Sequence, residues 1–337
     1  MLKLILSAIA GFSALAATQA MAGPVLDAVK ARGQVLCGVS AGLVGFMHAD
    51  SQGVWRGLSV DMCRATAAAL LGDANKVKYV PLEPLKRFPA LESGEVDLLA
   101  SNSTVTLGRD AGVDFAGIYY YDGQGFMVPR KLGRRVMRDL DGAKVCVQPG
   151  TTTEANVADY FRLNKMAFTP VLLDKIDDLR AAFFAGRCDV LTADLSNLYA
   201  TRAAYAPNPS DYTILPRTIT KEPLGLAVRH GDSQFGDIVR WSLYAMIEAE
   251  EYGITSRNVD EAMKSENPTI KRILGATPGM GKALGLDEKW AYNIVKQVGN
   301  YGEVYDRNLG PSTVLKIPRG MNGPWRDGGM LYAPPIR

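Results

Sequence analysis

The sequence predicts an α/β fold of two similar lobes facing one cleft, and three observations predict it. The first is an internal echo: Leu91-Glu-Ser-Gly94-Glu-Val-Asp97-Leu-Leu99 returns as Phe183-Phe-Ala-Gly186-Arg-Cys-Asp189-Val-Leu191. In both copies a helical turn runs into a glycine that can close a helix in the left-handed conformation, and an apolar run follows. The second is the character of those runs, which suit strands of a parallel sheet covered on both faces. The third is what comes next. Ser101-Asn102-Ser103-Thr104 follows the first copy and Asp194 follows the second, where ligands of open α/β sheets collect beyond the carboxyl ends of strands.

Length and composition allow this architecture. A chain of 337 residues with 47% apolar content builds one large or two medium domains with real cores, which excludes whole-chain disorder. Met1-Leu-Lys3, an apolar stretch from Leu4 to Ala17 and Ala20-Met21-Ala22 match a secretory signal with an Ala-x-Ala cleavage site, so the mature chain is expected to start at Gly23. The apolar stretch is short for a membrane span, which needs roughly 20 residues, and no later segment approaches that length. No cysteine follows the cleavage site directly, which argues against a bacterial lipid anchor. Removing Lys3 leaves 37 basic against 35 acidic residues, a net charge of +2. That is too weak a balance for a nucleic-acid footprint, and no nucleic-acid partner is expected.

The elements follow in order. A strand is expected over 35–39, a helix over 59–71 closed by Gly72, and a strand over 77–81. A helix over 85–92 and a strand over 96–100 continue the alternation, then a loop runs through Arg109 to an extended stretch at Gly125-Phe-Met-Val128. After the basic, polar segment 131–141 a second set opens: strand 143–147, helix 154–163, strand 169–173, helix 177–185 and strand 188–192. Pro207-Asn-Pro209 marks a loop, strand-like runs cover 212–215 and 224–228, and a core-packing helix covers 234–248. That helix puts Phe235, Ile238, Val239, Ser242, Leu243, Met246 and Ile247 on one face. From Gly310 onward, Gly, Pro and aromatic residues suit an irregular tail lying on a folded surface.

Four cysteines in an exported chain favour disulfides, and by count three connectivities are open. No spacing resembles a zinc ligand set, and no metal is expected. Cys37 and Cys63 fall in the first unit, Cys146 and Cys188 in the second. Pairing within each unit is expected, because a bridge between lobes would block their relative motion. Four buried free thiols are the alternative.

Several motifs compete for the chemistry. Gly38-Val-Ser40-Ala-Gly42 fits the Gly-x-Ser-x-Gly elbow of serine hydrolases, but the next segment, Phe46 to Gly53, reads as a loop rather than a helix opening under the serine. Only His48 and His230 are available as a base, so no catalytic residue is expected. Gly150-Thr151-Thr152-Thr153-Glu154 carries a capping-box pattern right after a strand, and the helix start it opens favours an anion such as a carboxylate. A simple helix cap is the plain alternative. Arg109, at the corresponding edge of the first unit, could fork a carboxylate with two parallel hydrogen bonds, or stand as a solvated surface residue. Asp194 could hold an ammonium, or cap a loop.

Four ordered segments resemble a known family, the exported solute-binding proteins of polar amino-acid ABC importers. They are Phe88-Pro-Ala-Leu-Glu-Ser-Gly-Glu-Val-Asp97, Thr104-Val-Thr-Leu-Gly-Arg109, Gln148-Pro-Gly-Thr-Thr-Thr-Glu154 and Gly186-Arg-Cys-Asp-Val190, and the resemblance spans the whole mature chain. The C-terminal part, with Gln297-Val-Gly-Asn-Tyr-Gly302, Arg319-Gly-Met-Asn322 and Tyr332-Ala-Pro-Pro335, is similar to the broad-specificity branch, the general L-amino-acid-binding proteins. The resemblance implies a type II periplasmic-binding-protein-like clamshell with two hinge crossovers. Residues 1–22 would be the signal, 23–126 and 225–337 lobe one, and 127–224 lobe two. It also implies that Arg109 and the helix start at Thr152 grip an α-carboxylate, that Thr104 contacts the ligand's main-chain groups, and that Asp194 pairs with the α-ammonium. Asn102 and Thr151 join the expected ligand-binding set, which Leu43 and Leu58 complete.

The departures from the family are informative too. Many cationic-amino-acid members sandwich the side chain between aromatic rings, whereas here those positions hold Leu43 and Leu58, with Phe46 as a partial substitute. Losing the rings weakens any cation–π preference and leaves an adaptable apolar wall. The resemblance thus implies a periplasmic, monomeric, cofactor-free receptor that closes on an L-amino acid and docks on inner-membrane ABC permease subunits. Three rivals stand beside it: a clamshell dehydratase of cyclic carboxylic acids, a hydrolase built on Ser40, and a sensor that delivers its ligand to a receptor.

Overall fold

Two five-stranded sheets divide the chain, each carrying its own helices. The structure, a computed structural model, describes residues 23–40 and 42–337, and the expected signal 1–22 lies outside the described residues. The strands are β1 (Val35–Val39), β2 (His48–Ala49), β3 (Trp55–Arg56), β4 (Val77–Pro81), β5 (Leu98–Thr104), β6 (Asp114–Asp122), β7 (Gln124–Pro129), β8 (Ala143–Val147), β9 (Phe168–Leu172), β10 (Val190–Asp194), β11 (Tyr212–Ile214) and β12 (Glu222–Val228). The first sheet runs β4-β1-β5-β12-β6 and the second β11-β7-β10-β8-β9.

Both sheets repeat one plan. A parallel trio, β4-β1-β5 in one and β9-β8-β10 in the other, is continued by antiparallel strands, β12 and β6 or β7 and β11. The parallel sheets expected from the apolar runs are therefore mixed. Strands β7 and β12 each enter a sheet straight after the chain crosses between lobes, so they run against their neighbours. Sheet membership changes at Gly123 and again just before Glu222. The expected boundaries at 126/127 and 224/225 fall inside β7 and β12, the second at a register irregularity between β12 and β6, whereas the sheet changes about three residues earlier in each case.

The echo is built as read. Helix Pro84–Ser93 closes on Gly94 at φ 84°, helix Ile176–Phe184 is followed by Gly186 at φ 75°, and β5 and β10 follow. Strand β6 and the helices between Val259 and Asn308 are additions to the expected order.

Lobe one owns the larger core. Helix Ser233–Glu251 buries Phe235, Ile238, Val239, Leu243 and Met246, each such side chain contributing about 1.5–3 kcal/mol of transfer free energy. Its cap, Asp232, serves two helices: the carboxylate accepts from Phe235 N–H at 2.9 Å and from Val25 and Leu26 N–H at 2.9 Å each. Helices Trp290–Gln297 and Tyr301–Asn308 add the fully buried Trp290, Tyr301 and Tyr305. The tail after Gly310 is irregular and pinned to this body. Arg319 forks Glu250 at 2.9 and 3.1 Å, Trp325 donates to Glu251 at 3.0 Å, and Asn322 bonds both backbone groups of Tyr121.

Disulfides join Cys37 on β1 to Cys63 on helix Leu58–Leu71, and Cys146 on β8 to Cys188 just before β10. Each lies within one lobe. No helix among the described residues is long and apolar enough to cross a membrane.

Candidate functional site

Strand β5 ends in a polar tetrad whose second member, Asn102, takes the left-handed conformation at φ 49°. Asparagine tolerates this region better than most residues, and here neighbours hold it. Tyr119 donates its hydroxyl to Asn102 Oδ1 at 2.7 Å and accepts the Asn102 N–H at 3.2 Å, while Ser59 donates to the same Oδ1 at 3.1 Å. Across the cleft, Thr151 caps helix Thr152–Leu163 by accepting from Glu154 N–H at 3.2 Å. The Glu154 carboxylate reaches Gly150 N–H at 2.9 Å, one residue before the cap itself. Helix geometry leaves Thr152 and Thr153 N–H without intrahelical partners, at the positive end of the dipole.

Between these ends lies a cavity of about 90 Å³, walled by Ser40, Leu43, Arg87, Ser101, Asn102 and Thr104 of lobe one and by Gln148, Thr151, Thr152, Thr153, Asp194 and Asn197 of lobe two. The lobes meet at its back. Thr104 and Thr152 hydroxyls stand 3.3 Å apart, and both donate to Glu222 Oε2, at 2.6 and 3.0 Å. Glu222 Oε1 accepts from Asn156 at 2.8 Å and from Thr220 at 2.6 Å. A second junction uses the Gly42 carbonyl of lobe one, which accepts from Arg180 Nη1 and Tyr205 Oη at 2.7 Å each. Arg180 in turn lies 3.8 Å from the Tyr205 ring centroid.

Two guanidiniums flank one ring, Phe88, with Arg87 5.3 Å and Arg109 5.2 Å from its centroid. Arg109 donates to the Thr104 carbonyl at 3.0 Å and lies behind the wall. Arg87 donates to the Ser101 carbonyl at 3.1 Å and faces the cavity. Burial first, then the like charge of Arg109, pushes Arg87 down to about 9, and at neutral pH it remains a cation. Burial also lowers Arg109, against the pull of Glu222 and Asp194. Burial raises Asp194 well above the usual carboxylate range, with the charges of Asp122 and Glu222 adding to it and the two arginines opposing. Asp122, at the crossover, is pushed up to about 6 by burial, although N–H groups of Gly123 and Ser196 favour its charged form.

The model of the bacterial extracellular solute-binding proteins, family 3, matches residues 35–258. The chain belongs to that family. A general L-amino acid-binding periplasmic protein, AapJ, of Rhizobium johnstonii is 50% identical over 99% of both chains. A glutamate/glutamine/aspartate/asparagine-binding protein, BztA, of Rhodobacter capsulatus is 52% identical over 98% of this chain and 99% of its own. A solved ABC-transporter periplasmic binding protein from Brucella ovis with glutathione bound superposes with a TM-score of 0.90 at 52% identity, covering 93% of this chain and 99% of that one.

In this solute-binding protein six of the eight expected ligand-binding residues line one cavity: Leu43, Asn102, Thr104, Thr151, Thr152 and Asp194. Two do not. Arg109 sits behind Thr104, held by the backbone carbonyl it bonds. Leu58 is fully buried in the lobe-one core, because its position opens the helix that packs on β1, and so it forms no part of an adaptable wall. Phe46 is likewise core, edge-on to Tyr120 at 5.1 Å. The Ser40 segment leads into a turn bridged at Leu43 and Met47, and the next helix opens only at Leu58, so the strand–turn–helix elbow is missing. Among the described residues no group of three or more His, Cys, Asp or Glu gathers for a metal ion.

Sequence reasoning missed Arg87 and Glu222. Lys86-Arg87 looks like a solvated helix face, and Thr220-Lys-Glu222-Pro looks like a polar loop, yet both residues are buried, at 5% and 1% exposure. The available signal was that both adjoin recognised segments.

Proposed function

We propose that this chain is the periplasmic receptor of an amino-acid ABC importer. It binds L-amino acids through their main-chain groups, tolerates varied side chains, and delivers them as a monomer to inner-membrane permease subunits. One observation carries the reading: an acid and a helix start of lobe two converge on one cavity whose opposite wall is the polar end of β5 in lobe one. Asp194 offers a carboxylate to an ammonium, and the start of helix Thr152–Leu163 offers N–H groups to a carboxylate. Arg109 stands one residue shell away on a neutral carbonyl, a weaker acceptor than a carboxylate, so an entering α-carboxylate draws its fork from the Thr104 backbone. Names of relatives support the class, since general L-amino acids and acidic or amide amino acids are what two of them bind. Glutathione, found on the Brucella ovis protein, ends in a γ-glutamyl group with the same free α-ammonium and α-carboxylate.

Closure follows from the layout, because ligand contacts come from both lobes and favour only the state that brings them together. Titration calorimetry of the refolded mature chain tests the reading, with glutamate, arginine and leucine as the deciding ligands. Binding of all three, each abolished or weakened by orders of magnitude in Asp194→Ala, supports it. Binding of one alone points to a dedicated side-chain pocket. Binding of none promotes the dehydratase reading, to be followed by a turnover assay with cyclic carboxylic acids.

A further inference from the structure

We infer that the flank of lobe one carries a docking groove for a partner protein, one that takes a short, extended, acidic segment bearing an apolar residue. The groove, of about 460 Å³, is lined by lobe-one residues and shares none with the cleft cavity. It therefore stands apart from the reading of the cleft and keeps its shape whether the lobes are open or closed.

Three features select the occupant, and the first is surplus charge. Asp61, buried on helix Leu58–Leu71, accepts from Arg64 Nη1 at 3.0 Å, Arg307 Nε at 3.1 Å and Asn308 Nδ2 at 2.8 Å. One carboxylate thus serves two guanidiniums, whose side chains remain 30% and 40% exposed on the groove. Arg64 Nη2 and Arg307 Nη1 have no protein partner among the described residues and are free to donate to an incoming carboxylate. Arg56 adds a third guanidinium, paired at 2.9 Å with Asp50. The second feature is a ring platform: Trp55 and Tyr79 lie 5.5 Å apart at a tilt of 33°, with exposed Val54 beside them, a seat for an apolar side chain. The third is open backbone. Strand β4 is the outer strand of its sheet and pairs only with β1. Val35 N–H donates to the Lys76 carbonyl and Leu82 N–H to the Val39 carbonyl, so the even-numbered residues of this parallel ladder face β1 and Tyr79 turns its N–H and C=O to the open edge. Such an edge takes an extended chain, whose main-chain bonds give affinity while neighbouring side chains give selectivity. Pro81 has no N–H and the Val77 N–H is spent on the Asn75 carbonyl, so the ladder on offer is short and charge must supply the rest. A lipid headgroup would meet the charge but not the open backbone pair.

The test is fluorescence polarisation of the refolded mature chain with a labelled, capped peptide Asp-Glu-Val-Asp-Glu, at low and at physiological salt. Its controls are the amide counterpart Asn-Gln-Val-Asn-Gln and the acidic peptide with every backbone nitrogen methylated. Arg64→Gln removes the surplus charge and leaves Asp61 its partners Arg307 and Asn308, while Arg56→Gln alters an exposed side chain; both are first checked for an unchanged melting transition. The acidic peptide should bind wild type at least about tenfold more tightly than either control, and weaken about tenfold in Arg64→Gln and by a smaller factor in Arg56→Gln. Equal binding of the acidic peptide and either control, acidic binding unchanged in both variants, or no binding at all overturns the inference. Tighter binding to vesicles of anionic phospholipid, lost in Arg64→Gln, gives the groove to a membrane surface and overturns it as well. A concentration-dependent dimer in sedimentation that Arg64→Gln disperses gives it to a second copy, with the same consequence. None of these outcomes bears on the cleft, since the two sites share no residue.

Discussion

Glu222 is the most consequential residue that the sequence did not advertise, and replacing it gives a sharp test of how the lobes are held. Glu222→Ala removes four hydrogen bonds, and two of them, from Thr152 Oγ1 at 3.0 Å and Asn156 Nδ2 at 2.8 Å, arrive from the other lobe. A hydrogen bond to a charged group contributes about 1.5–3 kcal/mol net. The low end of that range applies, because opening returns these donors to water. Losing both interlobe bonds then costs the closed state about 3 kcal/mol relative to the open one, roughly a hundredfold. Since Glu222 engages protein donors on every side, the penalty is common to all ligands. Calorimetry should show dissociation constants for glutamate and leucine rising together by about that factor. Small-angle scattering of the ligand-free variant should show a larger radius of gyration. Glu222→Gln, which keeps an acceptor oxygen, should lose far less. A loss under threefold in Glu222→Ala, or one that differs between the two ligands, would refute the reasoning.

Two further outcomes follow from the lobes themselves. Asp122 is buried at 7% exposure and pushed up to about 6 from 3.8, so the folded state holds its proton through a pH range in which the unfolded chain has released it. Native protein therefore binds more protons between about pH 4 and 6, and stability falls as pH rises through that window. Asp122→Asn should make this slope shallower, the part owed to Asp194 remaining, with melting temperature gained over wild type at pH 7.5 and little at pH 4, and a variant that loses ground to wild type as pH rises would contradict it. The Cys146–Cys188 bridge spans 42 residues, for which chain entropy gives about 4 kcal/mol. Cys146→Ala with Cys188→Ala should lower the urea midpoint of lobe two accordingly, and an unmoved midpoint would show that packing alone carries the lobe.

What was legible in the sequence was local. Gly94 and Gly186 announce helix ends because a positive φ excludes most side chains, and the apolar runs after them have few places to go except a sheet interior. Thr151 with Glu154 announces a helix start for the same kind of reason, although the carboxylate reaches Gly150 rather than the cap. What was illegible depends on distance along the chain. Glu222 meets Thr104 across 118 positions and Thr152 across 70, and nothing in Thr-Lys-Glu-Pro encodes either meeting. Arg87 is buried because Phe88 and Ser101 close over it, and the Lys86-Arg87 pair gives no hint of that. Leu58 misled in the other direction, since an apolar residue near a site is as readily core as wall. Strand β6 did carry a signal, three consecutive tyrosines of high strand preference, which the glycine inside it obscured.

The interleaving of the sheets has a consequence for how the molecule comes to be folded. Strand β12 sits between β5 and β6, and it is made only after all of lobe two. Residues emerging N-terminus first can thus assemble β4-β1-β5 but must keep the slot beside β5 vacant while some hundred later residues appear. Lobe two has no such wait, because β7 to β11 are contiguous and its own disulfide lies within them. The middle of the chain can be finished before its beginning. Until β12 arrives, β5 and β6 expose ladder edges that invite pairing with other chains. Slow maturation and a need for protection should therefore trace to lobe one, and a chain truncated before Glu222 should aggregate through it while lobe two stands folded.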